Sequence, residues 1–156
     1  MGVEIERKYL VKNDAWRDGA QGVAFRQGFL STQKERVVRV RMAGEKGTLT
    51  IKGVTRDVSR VEFEYEIPKA DAEQLLDQLC ERPLIEKTRY KIEHAGLIWE
   101  VDIFEGENAG LILAEVELED ENQAIELPDW VGEEVSSDAR YYNSNLVKNP
   151  FSSWRD

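Results

Sequence analysis

The feature that most constrains the fold of this chain is an alternation of charged and apolar side chains at every second position, repeated in many segments. Successive side chains of a β-strand point to opposite faces, so an alternation of this period predicts strands. Short turn-like stretches such as AGEKG (43–47) and HAG (94–96) separate the segments and favour antiparallel hairpins. The predicted strands are residues 2–11, 24–33, 36–43, 47–53, 59–67, 86–94, 97–105 and 110–120.

Two segments have the spacing of helices instead. In 70–81, apolar residues recur three and four positions apart from Ala72 to Cys80, which predicts an amphipathic helix. The less regular segment 136–148 is a second helix candidate. Because no repeat or linker interrupts the chain, we predict one domain, 1–156, that is mainly β with a few peripheral helices.

Almost every predicted strand has one charged face and one apolar face. In EIERKYL (4–10), for example, Glu4, Glu6 and Lys8 fall on the same side of the strand. The alternation fits a sheet whose charged side faces water, and it fits equally a closed eight-stranded barrel whose charged side lies inside. The residues that would line such a lumen are Glu4, Glu6, Lys8, Arg39, Arg41, Lys52, Glu62, Glu64, Lys87, Arg89, Glu100, Asp102, Glu115 and Glu117.

A charged lumen would have a chemical consequence, because buried charges must be paired or ligated. The proposed lining has more carboxylates than cations, so an empty lumen would attract a hard divalent cation. Oxygen ligands without neighbouring His or Cys favour Mg²⁺ or Mn²⁺ over zinc. The cations are rich in Arg, whose forked donors suit phosphate oxygens. A metal and several cations around one anion are what phosphoryl transfer requires.

The overall composition limits the classes of partner. A formal net charge of −10 and a pI near 4.8 argue against a general binder of nucleic acid or membrane surfaces. Cys80 is the only cysteine, which excludes an internal disulfide and a thiolate zinc site and is typical of a reducing cytoplasm. No apolar run has the length of a membrane span. We therefore expect a cytoplasmic protein without a nucleic-acid or membrane partner.

The chain resembles the CYTH superfamily, the triphosphate tunnel metalloenzymes, over nearly its whole length. Glu4, Glu6 and Lys8 of EIERKYL match the ExExK signature of that family. The short length is most similar to that of the stand-alone inorganic triphosphatases. RYYNSNL (140–146) resembles the C-terminal helix that plugs or covers one tunnel mouth. The later matching motifs are QGFL (27–30), VRVR (38–41), TIKG (50–53), EFEYEIP (62–68), EKTRY (86–90), WEVDIF (99–104) and AEVELE (114–119).

The resemblance implies an eight-stranded antiparallel tunnel that binds a linear triphosphate with one or two Mg²⁺ or Mn²⁺ ions. On this basis we expect Lys8, Arg41, Glu62 and Glu64 to be catalytic, with either a second metal or a carboxylate such as Glu62 or Glu64 polarising the attacking water. Glu100 is an accessory candidate that would orient the basic residues. The expected metal ligands are Glu4, Glu6, Asp102, Glu115 and Glu117, and the expected phosphate ligands are Lys8, Arg39, Arg41, Lys52, Lys87 and Arg89.

Hydrolysis of inorganic tripolyphosphate is the function that this reading favours, because the predicted lumen contains no obvious set of residues for binding a base. The alternatives on the same tunnel are a class IV adenylate cyclase, an organic triphosphatase such as thiamine triphosphatase, and a polyphosphate-binding module without catalysis. The apolar outer face allows a homodimer. Trp130 and Trp154 would cover that face or contact a second subunit.

Overall fold

A computed structural model describes residues 3–154, and the predicted start of the first strand at residue 2 lies outside this range. Strands dominate it, and two α-helices and four short 3-10 turns accompany them. The strands are β1 (Val3–Val11), β2 (Gly22–Ser31), β3 (Val37–Ala43), β4 (Lys46–Lys52), β5 (Ser59–Ile67), β6 (Ile85–His94), β7 (Leu97–Phe104), β8 (Ile112–Glu117) and β9 (Val131–Glu134). The α-helices are α1 (Lys69–Gln78) and α2 (Asn143–Lys148).

The strands form one antiparallel sheet in the order β5-β4-β3-β2-β6-β7-β8-β1-β9. The sheet closes because β1 also pairs with β5, through Val3–Ile5 against residues 59–61. The rest of that edge of β1 pairs with the short strand β9, in the region of Tyr9 and Val11. The predicted eight-stranded antiparallel barrel with a charged lumen is therefore confirmed, and the water-facing sheet is not what forms.

The apolar outer face of the barrel is covered in two places. Helix α1 packs Ala72 and Leu76 on Val40 and Met42 of β3, and Gly47 of β4 lets the helix approach closely. A Cβ atom at position 47 would lie 2.8 Å from the Cβ atom of Ala72. No helix within residues 3–154 has the length and apolar character needed to cross a membrane.

The segment after β8 covers the other part of the outer face. Trp130 is buried there and meets the ring of Trp99 edge-on, with 5.8 Å between the ring centroids. Trp16, from a 3-10 turn, packs beside Tyr90 in the same cluster. Of the two roles considered for Trp130, the one observed is covering the barrel.

The C-terminal part of the chain closes one end of the barrel. Leu146 and Val147 of α2 are buried among residues such as Phe29 and Ile85, at the end of β2 and the start of β6. These strand ends meet at one end of an antiparallel barrel, so α2 is a plug, as predicted. Trp154 packs edge-on against Tyr141, with ring centroids 5.1 Å apart, and covers the plug from outside.

Several element boundaries differ from the predictions. The predicted helix over 136–148 is an α-helix only in Asn143–Lys148, and a 3-10 turn precedes it. Strand β9 was not predicted because four residues are too few to establish an alternation. Strand β8 ends at Glu117 rather than 120, and β2 is displaced by two residues from the predicted 24–33.

Candidate functional site

A cavity of about 300 Å³ lies inside the barrel, and side chains from all eight barrel strands line it. This volume is at the lower end of the range for small-molecule sites. The predicted lumen residues on its surface are Glu4, Glu6, Lys8, Arg39, Arg41, Lys52, Glu62, Glu64, Lys87, Arg89, Glu100, Glu115 and Glu117. The alternation at every second position therefore identified residues that do converge on the cavity. Their individual roles stay predictions.

Asp102 is the predicted site residue that does not reach the cavity surface. It is fully buried and accepts hydrogen bonds from Lys87 Nζ at 2.7 Å and from Arg89 Nε at 2.7 Å. Burial alone would raise the pKa of Asp102, but the charges of Lys87 and Arg89 outweigh it and lower the pKa. In this arrangement the Asp102 carboxylate holds Lys87 and Arg89 in place. Its predicted role as a metal ligand stays a prediction.

Glu115 pairs with one further cation, Lys8, and also with Arg89. It accepts a hydrogen bond from Lys8 Nζ at 2.7 Å and a longer one, 3.3 Å, from Arg89. Although burial acts in the opposite direction, Lys8 and Arg89 hold the pKa of Glu115 well below its usual value. Glu100 accepts a hydrogen bond from Arg89 at 3.1 Å, which is the pairing expected of an accessory residue that orients a basic side chain.

A second pairing involves the start of β1 and strands β4 and β5. Lys52 Nζ lies 3.0 Å from Glu4 and 3.6 Å from Glu62, so one ammonium serves two carboxylates. Glu64 accepts a hydrogen bond from Thr50 at 3.1 Å and lies 3.7 Å from Arg39. These carboxylates are therefore only partly neutralised.

The lumen has an acidic wall, which we define as Glu4, Glu6, Glu62 and Glu117. Burial, together with the charges of Glu115 and Glu4, raises the pKa of Glu6 to about 8. Burial and the charge of Glu4 also raise the pKa values of Glu62 and Glu117. The register of β1 and β8 places Glu6 directly opposite Glu117. This wall is short of positive charge.

The donor set of the acidic wall fits a hard divalent cation, because it offers only carboxylate oxygens and is destabilised by its own charge. Within residues 3–154, however, no three acidic, His or Cys side chains stand close enough together to hold an ion already. Glu4 and Glu115 are engaged by Lys52 and Lys8. To bind an ion, Glu4 and Glu115 would thus have to break their hydrogen bonds to Lys52 and Lys8 and contact the metal instead.

The opposite problem exists on the cationic wall, which we define as Arg39, Arg41, Lys87 and Arg89. Arg41 forms no ion pair with any residue of 3–154, and its one hydrogen bond runs from Nε to Gln27 Oε1 at 2.9 Å. Burial, with the charges of Arg39 and Arg89, lowers the pKa of Arg41 to about 9. Burial likewise lowers the pKa of Lys87 to about 7. Arg39 Nε is buried without a hydrogen-bond partner among the described residues.

The ring of Phe25 lies behind the cationic wall. The guanidinium carbons of Arg41 and Arg89 lie 4.6 and 4.9 Å from its centroid, within the range of cation–π attraction. Lys87 Nζ is 5.8 Å from the same centroid. The ring therefore offsets part of the repulsion between neighbouring cations without neutralising them.

Sequence reasoning missed three uncharged residues of this site, Phe25, Gln27 and Asn143, because it selected lumen residues by charge. Phe25 and Gln27 share a strand face, so the parity of β2 could have identified them. Asn143 had no such signal, since α2 follows irregular structure. Arg60 also lines the cavity, where it donates to the carbonyl oxygen of Gly53.

Comparisons with known proteins agree with this geometry. Residues 2–147 match the CYTH domain. An inorganic triphosphatase of Acetivibrio thermocellus is 52% identical over 156 residues, which is the full length of both chains. An inorganic triphosphatase of Nitrosomonas europaea is 39% identical over 149 residues, covering 92% of this chain and 96% of the relative.

A solved structure is similar as well. The crystal structure of an inorganic triphosphatase superposes with a TM-score of 0.66 at 36% sequence identity. The superposition covers 92% of this chain and 96% of that chain. The match of the domain over residues 2–147, the two relatives and the closed barrel with its charged lumen lead to one conclusion. The chain belongs to the CYTH domain family.

Proposed function

We propose that this protein is a hydrolase that cleaves inorganic tripolyphosphate to pyrophosphate and phosphate with the help of Mg²⁺ or Mn²⁺. The observation that carries the proposal is the environment of Arg41. A guanidinium that faces an enclosed cavity beside two other arginines, with no acidic partner in residues 3–154, is a site for a strongly charged anion. The inorganic triphosphatases to which the chain is similar act on such an anion.

The cationic wall would bind the phosphate chain. Arg39 and Arg41 project from one strand, β3, and Lys87 and Arg89 from another, β6, so the anion would be gripped from two sides. Forked guanidinium donors bind tighter as charge builds on the phosphoryl oxygens, which lowers the barrier rather than only the dissociation constant. Lys52 and Lys8 would contact the same chain after releasing Glu4 and Glu115.

The acidic wall would hold the divalent ion, through Glu4, Glu6 and Glu117, with Glu115 as a further oxygen donor. A bound divalent ion neutralises phosphate charge and lowers the pKa of a water molecule. Glu62 and Glu64 face the cavity from β5 and are our candidates for accepting the proton of the attacking water. The raised pKa of Glu62 brings it closer to neutral pH, where a general base is most effective.

The shape of the lumen supports an inorganic substrate. The plug closes one end, and Thr55, Asp57, Val58 and Arg60, from the connection between β4 and β5 and the start of β5, also line the cavity. The large aromatics Phe63 and Tyr65 point outward from β5 and are exposed. No aromatic residue occurs in 55–60, so a base or thiazole ring beside these residues would add bulk without a stacking partner there. The aromatic residues on the cavity surface, Phe29 and Tyr142, adjoin the plug.

The cellular setting belongs to the same proposal. We expect the enzyme to work in the cytoplasm, on a small phosphate-chain substrate and without nucleic-acid or membrane partners, given its charge of −10. The exposed outer side chains of β5, Val61, Phe63 and Tyr65, are the surface through which a homodimer would form. The whole chain, 1–156, would act as one domain.

The deciding experiment compares substrates with Mg²⁺ and with Mn²⁺. Tripolyphosphate, ATP, thiamine triphosphate and pyrophosphate are each incubated with the protein, and the released phosphate is measured. We expect tripolyphosphate to be hydrolysed at least ~10-fold more efficiently than ATP, a difference of about 1.4 kcal/mol, and pyrophosphate to be a poor substrate. Equal efficiency on ATP, or formation of cyclic AMP, would move the protein to a nucleotide-processing function. Binding without turnover would make it a polyphosphate-binding module.

A further inference from the structure

A chain of two side-chain amides connects the plug to the cationic wall. Gln27 of β2 is fully buried and accepts the hydrogen bond from Arg41 Nε at 2.9 Å. Its own Nε2 donates to Asn143 Oδ1 at 2.6 Å, and Asn143 is the first residue of α2. The same Asn143 oxygen accepts from Lys87 Nζ at 3.1 Å. Two cations from different strands are thus joined through one residue of the plug.

Lys87 and Arg41, at the two ends of this series of amides, fix the direction of every hydrogen bond in it. Ammonium and guanidinium groups are donors only, so each must face an amide oxygen. If either amide flipped, an NH₂ group would point at Lys87 or Arg41, and two donors would face each other. The four groups therefore have one consistent arrangement, which holds both cations in place.

The two amides are neutral, which distinguishes them from carboxylates as partners of a cation. Other arginine and lysine side chains of the lumen have a carboxylate partner: Asp102 pairs with Arg89 and also with Lys87, and Glu115 pairs with Lys8. A carboxylate satisfies a cation's donors and also cancels its charge. An amide satisfies the donors and leaves the charge available for an anion, and Arg41 has no other partner within residues 3–154.

We propose that Asn143 is a positioning residue that, through its amide oxygen and through Gln27, orients Lys87 and Arg41 for the phosphate chain without adding a negative charge beside them. This inference rests on the proposed function, because the phosphate chain is the anion that these cations would bind. It gives the plug a part in catalysis that differs from closing the barrel. Leu146 and Val147 anchor the plug, and Asn143 joins it to the site.

Two substitutions at one position separate charge from geometry. Asn143→Asp keeps an acceptor for both Lys87 and Gln27 but adds a negative charge beside the cationic wall. Asn143→Leu removes the acceptor without adding charge. The matched control is Asn145→Leu, which removes a hydrogen bond of the same helix, from Asn145 Nδ2 to the carbonyl oxygen of Ala139, and does not reach the cavity.

For Asn143→Asp we expect a melting temperature at or above that of the wild type and a KM for tripolyphosphate at least ~10-fold higher, about 1.4 kcal/mol. For Asn143→Leu we expect kcat/KM to fall at least ~10-fold. Asn145→Leu should lower the melting temperature without changing KM. Because Gln27 and Asn143 act in series, Gln27→Leu combined with Asn143→Leu should be no worse than the more harmful single variant.

The outcomes are distinct from those of the substrate comparison. If the wild type does not hydrolyse tripolyphosphate, the proposed function fails, whatever these variants do. If the wild type does hydrolyse it and Asn143→Asp has a wild-type KM, the positioning role is wrong. Losses of kcat/KM that simply add in the double variant would also overturn it, since independent structural damage gives that result.

Discussion

The two walls of the lumen have opposite electrostatic defects. On the acidic wall, burial and mutual repulsion raise carboxyl pKa values, most strongly for Glu6, to about 8. On the cationic wall, burial and mutual repulsion lower the pKa values of Arg41 and Lys87, to about 9 and about 7. A bound cation would reduce the repulsion on the acidic wall, and a bound anion would reduce the repulsion on the cationic wall. A metal-bound triphosphate provides both, so the comparison explains why one barrel interior would bind the two together.

Some charged groups of the lumen, including two members of the cationic wall, already satisfy each other. Glu115 with Lys8, and Asp102 with Lys87 and Arg89, are each paired at 2.7 Å and hold their neighbours in place. Breaking a buried pair by removing one partner is costly, so these residues make poor tests of binding. Substitutions of the other wall residues distinguish the functions better.

The largest effect is expected on the acidic wall. Glu6→Gln removes a proposed metal ligand while keeping the size of the side chain, and we expect kcat with saturating Mg²⁺ to fall about 1,000-fold. The control is Glu66→Gln, since Glu66 lies on β5 beyond the cavity and is exposed. Steady-state phosphate release measures both variants. Normal Mg²⁺-dependent turnover by the Glu6→Gln enzyme would show that the metal does not bind at the acidic wall.

A smaller loss is expected on the cationic wall. Arg41→Lys keeps the positive charge but loses the planar fork, so we expect kcat/KM for tripolyphosphate to fall about 100-fold. Arg26→Lys is the control, because Arg26 lies on β2 at the surface, where it pairs with Asp77. If Arg41→Lys retains full activity, the wall supplies only charge, and the argument from forked hydrogen bonds is wrong.

The smallest effect concerns stability and its dependence on pH. Since the pKa of Glu6 is about 8 when folded and near 4.5 when unfolded, the folded chain keeps a proton that the unfolded chain releases between these values. Stability is therefore lost as the pH rises from about 4.5 to 8. In chelator at pH 8, Glu6→Gln should melt about 5 °C above the wild type, and at pH 4 the two should coincide. A constant difference at both pH values would contradict a titrating Glu6.

Much of this site followed from the sequence because side-chain parity in a strand determines which face a residue occupies. The charged residues of β1, β3 and β5 could be assigned to one surface in this way, and the closed barrel puts that surface inside. Parity does not give depth along the barrel. Asp102 has the same parity as Glu100 but lies opposite Arg89 in the register, below the cavity.

The remaining features depend on packing that leaves little trace in the sequence. Strand β9 forms because β5 pairs with only the first residues of β1 and leaves the later part of that edge open. Gln27 and Asn143 meet only after α2 has packed into the barrel end. Three-dimensional distances likewise determine which carboxylates are paired with a cation and which lie among other carboxylates. Counting charges in the sequence could not assign this.

The most direct test of the two-wall account is a crossed thermal-shift measurement at pH 8 on the wild type, Glu6→Gln and Arg41→Gln. Each is heated with chelator alone, with Mg²⁺ alone, and with tripolyphosphate in chelator, where no turnover complicates the result. The account predicts that both ligands raise the melting temperature of the wild type. It also predicts that Glu6→Gln loses only the shift caused by Mg²⁺ and Arg41→Gln only the shift caused by tripolyphosphate. Loss of both shifts in both variants, or of neither, would contradict the separation of the walls.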